Sequence, residues 1–113
     1  MGRIRQAIHV DGRTCWTLFD AGARNTYVIP AVAKMLKTSP MPTTISVRES
    51  NTAALLEATV EGHPISTHAL VIEEGADIEI LFGALAMQQW GIRPIPDEKR
   101  LDLSHYPETF VEF

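Results

Sequence analysis

Only one cysteine, Cys15, occurs among the 113 residues of this chain. That excludes an internal disulfide framework and a zinc knuckle built on cysteines, and it suits a reducing compartment. Long apolar runs are missing too. The longest, Ile80 to Met87 with Gly83 counted in, falls far short of the ~20 residues that span a bilayer. Residues Met1 to Gln6 alternate charged and apolar side chains and lack the apolar stretch of a signal peptide. Gln6 stands where a myristoylation pattern needs Ser or Thr. The expectation is a soluble cytoplasmic protein without a membrane partner. There is no Lys/Arg run, and 10 basic against 14 acidic side chains leave a net charge of −4. Such a chain repels phosphate backbones, so nucleic acid is not an expected partner.

What is present points to one folded domain over residues 1–113. The 45% apolar and 21% charged composition supplies a core and a solvated surface, and excludes disorder. Ile4 to Val10, the Asp11-Gly12 turn signal and Thr14 to Phe19 read as a β-hairpin. A short strand is expected over Asn25 to Ile29 and a helix over Ala31 to Leu36, closed by Lys37 and the Ser39-Pro40-Met41-Pro42 stretch. Strands follow over Thr44 to Val47, Leu55 to Val60 and Ile65 to Ile72, with Arg48 to Thr52 as a polar tip and Glu61-Gly62 as a turn. Ile78 to Gly83 reads as a buried strand and Ala84 to Trp90 as a helix that Gly91 caps in the left-handed conformation. Two short edge strands, Ile92 to Ile95 and Leu101 to Leu103, flank a turn at Pro96 to Lys99. The chain is therefore β-rich with two short helices. An internal echo stands out: one apolar strand ends in Asp20-Ala21-Gly22, and a later one ends in Leu81-Phe82-Gly83, each with a helix after it.

Asp20 is the first candidate for chemistry, an ionisable group between the apolar Leu18-Phe19 and a tight turn. Burial there would penalise its charged form. Local sequence alone favours an Asx-type turn residue bonded to nearby backbone N–H groups. The ordered set of motifs turns the reading toward an active site. Phe19-Asp20-Ala21-Gly22-Ala23, continuing to Val28, resembles the Asp-Thr/Ser-Gly-Ala loop of retropepsin-like aspartic proteases. Ile80-Leu81-Phe82-Gly83-Ala84 and the helix after it look like that family's second signature, and Trp90-Gly91-Ile92 with Lys99 to Leu103 is similar to its closing strands. The resemblance spans residues 4 to 103.

It implies an all-β fold, a small closed β-barrel of the acid-protease type with one or two short helices. The echo would be its internal pseudo-two-fold. It also implies a homodimer, because each chain has one Asp-x-Gly and the reaction needs two carboxyls on a symmetry axis. Such a pair shares a proton: one member takes a proton from water while the other donates to the scissile carbonyl. Neither a metal nor another cofactor is needed. Gly22 would serve a sharp turn, Ala23 would complete the active-site loop, and a peptide or protein substrate would lie in a cleft bounded by Leu81, Phe82 and Gly83. Apolar residues near the end, Phe110, Val111 and Phe113, would join the dimer interface.

Two departures qualify the match. Ala21 replaces the family's Thr or Ser, whose hydroxyl braces both loops across the axis; losing such a bond costs on the order of 1 kcal/mol in each protomer. The family closes its cleft with a hairpin flap. Position puts that flap at Thr43 to Leu56, with Arg48, Glu49, Ser50, Asn51 and Thr52 at the tip, yet no glycine lies between Gly22 and Gly62. Asn51 is the residue there suited to a left-handed turn, and an ordinary surface hairpin is the competing reading. Three functions follow: a homodimeric aspartic endopeptidase, a catalytically silent module that binds peptides or dimerises, and an unrelated β-barrel. Asp20 and Gly22 favour the first, Ala21 the second.

The remaining chemical side chains carry less. His63 and His68 are an odd number apart on extended chain and face opposite ways, a poor ligand pair. Cys15 reads as a buried structural thiol. Adjacent Ser104 and His105 do not define a nucleophile and its base. Glu73, Glu74, Asp77 and Glu79 lack calcium-loop spacing and read as a solvated acidic edge. Trp16 and Trp90 read as core aromatics.

Overall fold

The computed structural model of the chain describes residues 3–40, 49–72 and 77–107. Its first hairpin joins β1 (Arg3–Val10) to β2 (Arg13–Asp20). Asp11 and Gly12 both take positive φ, 51° and 77°, the geometry whose twist matches the flanking strands. A two-residue turn fixes the register, so Val10 faces Arg13 and, at the far end, Arg3 faces Asp20. Glu61 and Gly62, at φ 49° and 82°, repeat the device between β5 (Glu49–Val60) and β6 (His63–Ile72). The Gln6 amide donates to the Glu61 carboxylate at 2.8 Å and ties the two turns' strands together.

Between these hairpins run β3 (Tyr27–Val28), helix α1 (Pro30–Ala33) and β4 (Lys37–Pro40). After them come β7 (Ile80–Phe82), helix α2 (Ala84–Trp90), β8 (Arg93–Ile95), a 3-10 turn at Pro96–Glu98 and β9 (Arg100–Asp102). The main sheet has the order β1-β2-β7-β3-β6-β5, and β1 meets β5 at His9 and Thr59, so six strands close into a barrel. β4 lies outside that ring, paired to β5. β8 and β9 form a separate ribbon. The interior is filled by Ile8, Val10, Phe19, Val28, Leu56, Val60, Ile80 and Phe82, all essentially inaccessible to water. The Phe19 and Phe82 rings sit 5.0 Å apart between the parallel strands β2 and β7.

The expected all-β barrel with two short helices is thus the observed one, and Gly91 caps α2 at φ 66° as expected. Several local readings need correction. The first helix stops at Ala33 rather than Leu36, and the segment expected to close it forms β4, because Lys37 to Pro40 finds hydrogen-bonding partners on β5. Glu49 to Thr52 is not a hairpin tip but the first part of β5: Thr52 pairs with Pro40 and Glu49 with Ile72, across a bulge between Glu49 and Ala53. Backbone pairing on both sides outweighs the polar side-chain pattern that suggested a turn. The expected tip residue Arg48 and the strand over 44–47 lie outside the described residues, as do Glu73, Glu74, Phe110, Val111 and Phe113.

Trp16 is not in the core. It is 42% exposed, because alternation along β2 turns Cys15 and Thr17 inward and Trp16 out. Trp90 is half-buried, donates its indole N–H to the Ser66 carbonyl at 2.8 Å and stacks on Tyr106. Glu79 is no solvated edge residue either. Its carboxylate accepts the Trp16 backbone N–H at 2.8 Å and pairs with Arg13 at 2.6 Å, while its own N–H and C=O bond to Trp16 and Ile29. It fastens the entry of β7 between β2 and β3.

Cys15 is buried. Burial pushes its thiol pKa up, and the Glu79 charge adds to that against a smaller opposing effect of Arg13. Because the thiolate is the reactive form, a maleimide reagent at mild alkaline pH should modify the native protein about 100-fold more slowly than the urea-unfolded chain. Equal rates would contradict this burial.

Candidate active site

The parallel pairing of β2 with β7 places Thr17 beside Ile80, Leu18 beside Leu81 and Phe19 beside Phe82. The two motifs of the sequence echo therefore end side by side, Asp20 next to Gly83. Beyond that point the loop from Asp20 to Thr26 lies across the start of α2. The Ala84 and Leu85 N–H groups donate to the Ala23 and Arg24 carbonyls at 2.6 and 3.1 Å. The Gly83 N–H donates to the buried Thr26 hydroxyl at 3.0 Å. A Cβ on Gly83 would collide with the Asn25 carbonyl and the Arg24 oxygen, so only glycine lets the loop come this close.

Asp20 is 8% exposed. Its Oδ1 accepts the Gly22 N–H at 2.8 Å, and its Oδ2 lies 3.5 Å from the Arg3 Nε. The Ala23 N–H donates to the Asp20 carbonyl at 3.1 Å and closes the turn. Gly22 does not use positive φ; a Cβ there would stand 3.2 Å from Asp20 Oδ1. Its smallness clears room for the carboxylate, which corrects the expectation that it serves backbone freedom. Asp20 does behave as an Asx-type turn residue, and the same bond orients a carboxylate at the mouth of the loop.

Ala21 is exposed and lines a cavity of about 510 Å³ with Met87, Ile92 and Pro94 among its walls. Ala23 is half-buried. Leu81 is half-buried beside Leu18, on the face of β2 that carries Asp20. Phe82 belongs to the core rather than to an open cleft, and Gly83 is buried under Asn25. Arg3 and Thr26 escape the sequence reading, which takes Glu79 for a solvated edge residue. For Arg3 the signal was available, since counting back from the Asp11-Gly12 turn pairs it with Asp20. Thr26 and Glu79 act through contacts distant in sequence and left no local pattern.

Other candidates stay apart from this loop. Ser104 Oγ and His105 Nδ1 are 3.3 Å apart on an exposed turn. The His63 ring packs tilted against that of Tyr106, whose hydroxyl donates to the Pro64 carbonyl, and His68 is exposed. Among the described residues no group of three or more His, Cys, Asp or Glu is placed to hold a metal ion. No helix among them is long and apolar enough to cross a membrane.

No family model and no curated protein matches the sequence. Solved structures do match the fold. The retroviral protease-like domain of Ddi1 from Leishmania major superposes with a TM-score of 0.69 at 12% identity, over 92% of this chain and 90% of that one. The protease of EIAV, solved with an inhibitor, gives 0.61 at 18% identity over 79% and 88%. A retropepsin-like aspartic protease from Rickettsia conorii gives 0.57 at 20% identity over 85% and 79%. The closed six-stranded barrel with its few short helices makes this chain retropepsin-like in fold, as its two motifs led us to expect.

Proposed function

We propose that the protein is a homodimeric aspartic endopeptidase in which Asp20 from each of two protomers forms the catalytic pair. The observation that carries this reading is the carboxylate of Asp20. It sits in a glycine turn at the end of a core strand, oriented through Oδ1 by the Gly22 N–H. The similar solved structures named above support it through the fold. Two carboxyls at contact distance hold one proton between them. The ionised member removes a proton from water as the oxygen attacks the scissile carbonyl carbon, and the protonated member donates to the carbonyl oxygen. The first carboxyl then passes the proton taken from water to the nitrogen as the C–N bond breaks. A hydroxyl of the tetrahedral intermediate returns a proton to the second carboxyl, which leaves an acid, an amine and the restored pair. Extended peptide is the substrate class, and no cofactor enters the reaction.

Half a site per chain has a kinetic consequence. Below the dimer dissociation constant, cleavage of a peptide library should rise with the square of protein concentration, and above it linearly. Activity should lean acidic between about pH 3 and 7, because raising pH removes the shared proton. Ala21 is exposed, so a hydroxyl added there meets no core. Ala21→Thr should tighten the dimer by about 2 kcal/mol, or ~30-fold in Kd, read by sedimentation. Strictly linear kinetics at every concentration would reject the shared site. A stable dimer that cleaves nothing would point to the silent binding module instead.

A further inference from the structure

The two oxygens of Asp20 are not equivalent. Oδ1 is committed to the loop through the Gly22 N–H at 2.8 Å. Oδ2 instead has the Arg3 guanidinium beside it, Nε at 3.5 Å. The in-register hairpin puts Arg3 directly opposite Asp20, and directly opposed residues of an antiparallel pair project to the same face within reach of each other. The partners differ in freedom. The Asp20 side chain is 12% exposed and held by its turn, whereas that of Arg3 is 66% exposed. The carboxylate is fixed; the cation can leave.

We propose that Arg3 guards Asp20: in the separate protomer its guanidinium covers the oxygen left free by the loop, and a second copy of the chain displaces it on bringing its own carboxyl to that oxygen. This rests on the paired-carboxyl reading above. Dimerisation then gives up two partly exposed ion pairs, which corresponds to about five- to tenfold in Kd. Pairing of this exposure is screened by salt, so the penalty shrinks as ionic strength rises.

Sedimentation of the full chain tests this without requiring activity. At low salt, Arg3→Gln should dimerise about five- to tenfold more tightly than wild type, and the gain should largely vanish at about 0.5 M salt. Arg3→Lys keeps the cation and should stay closer to wild type than Arg3→Gln. In an Asp20→Asn background the Arg3→Gln change should have no effect, because the pair is already broken. Arg3→Gln that weakens dimerisation, or leaves it unchanged, overturns the guard while the paired site stands. Equal tightening in the Asp20→Asn background also overturns it, since the effect would then be one of net charge. Absence of any dimer from wild type and variants removes the paired site itself, and the guard with it.

Discussion

Asp20→Asn should lower peptide cleavage by about 10³-fold or more at every pH, while circular dichroism and the urea midpoint stay near those of wild type. The amide matches the carboxylate in shape, and its oxygen can still accept the Gly22 N–H that Oδ1 accepts at 2.8 Å. What it loses is the exposed partner Arg3, a pair of the kind that contributes about 1 kcal/mol at most. The fold is held elsewhere, by Phe19 against Phe82 and by the closed strand order. The reaction has no such reserve: an amide cannot take the proton from water, and two amides cannot share one. Cleavage that survives the substitution would rule out Asp20 as the catalytic group. Loss of cleavage together with a collapsed spectrum would instead mean that the carboxylate is needed for the loop to fold.

Gly83→Ala should be among the most destabilising single changes available, lowering unfolding free energy by about 3 kcal/mol or more. The added methyl meets backbone, the Asn25 carbonyl and the Arg24 oxygen, rather than a side chain able to swing aside. Relief requires the loop from Asp20 to Thr26 to lift off α2, which breaks the Gly83–Thr26, Ala84–Ala23 and Leu85–Arg24 bonds. Those bonds also place Asp20, so activity should fall with stability. Gly12→Ala is the control. Its Cβ would meet nothing within 4 Å, but φ is +77°, and the conformational cost alone is about 1 kcal/mol. Urea unfolding of both variants checks the contrast; equal losses would show that the close approach at Gly83 relaxes freely.

Much of this architecture is legible in short stretches of sequence, wherever one turn or one periodicity decides the outcome. Asp11-Gly12 and Glu61-Gly62 specify both hairpins because two successive positive φ angles suit few residues. Gly91 ends α2 for the same reason. Glu49 to Thr52 reads as a tip because its side chains are polar, yet β4 and β6 offer it backbone partners, and pairing with distant strands is invisible in a local window. Glu79 looks like one more acid in an acidic stretch. Its role appears only when Arg13 and the Trp16 N–H arrive beside it.

The candidate site divides along the same line. By itself the sequence determined that Asp20 follows an apolar strand, that a glycine stands two residues after it, and that a second strand ends in glycine. These are properties of neighbours along the chain, set by steric fit and hydrophobicity within a few residues. Only the tertiary structure decided that β7 runs parallel to β2 and brings Gly83 beside Asp20, and that the loop is pinned by Thr26. It alone set Trp16 on the surface. A parallel pair needs a long crossover, and its register is settled by closing the barrel around Phe19, Ile80 and Phe82, an energy shared by residues far apart in sequence.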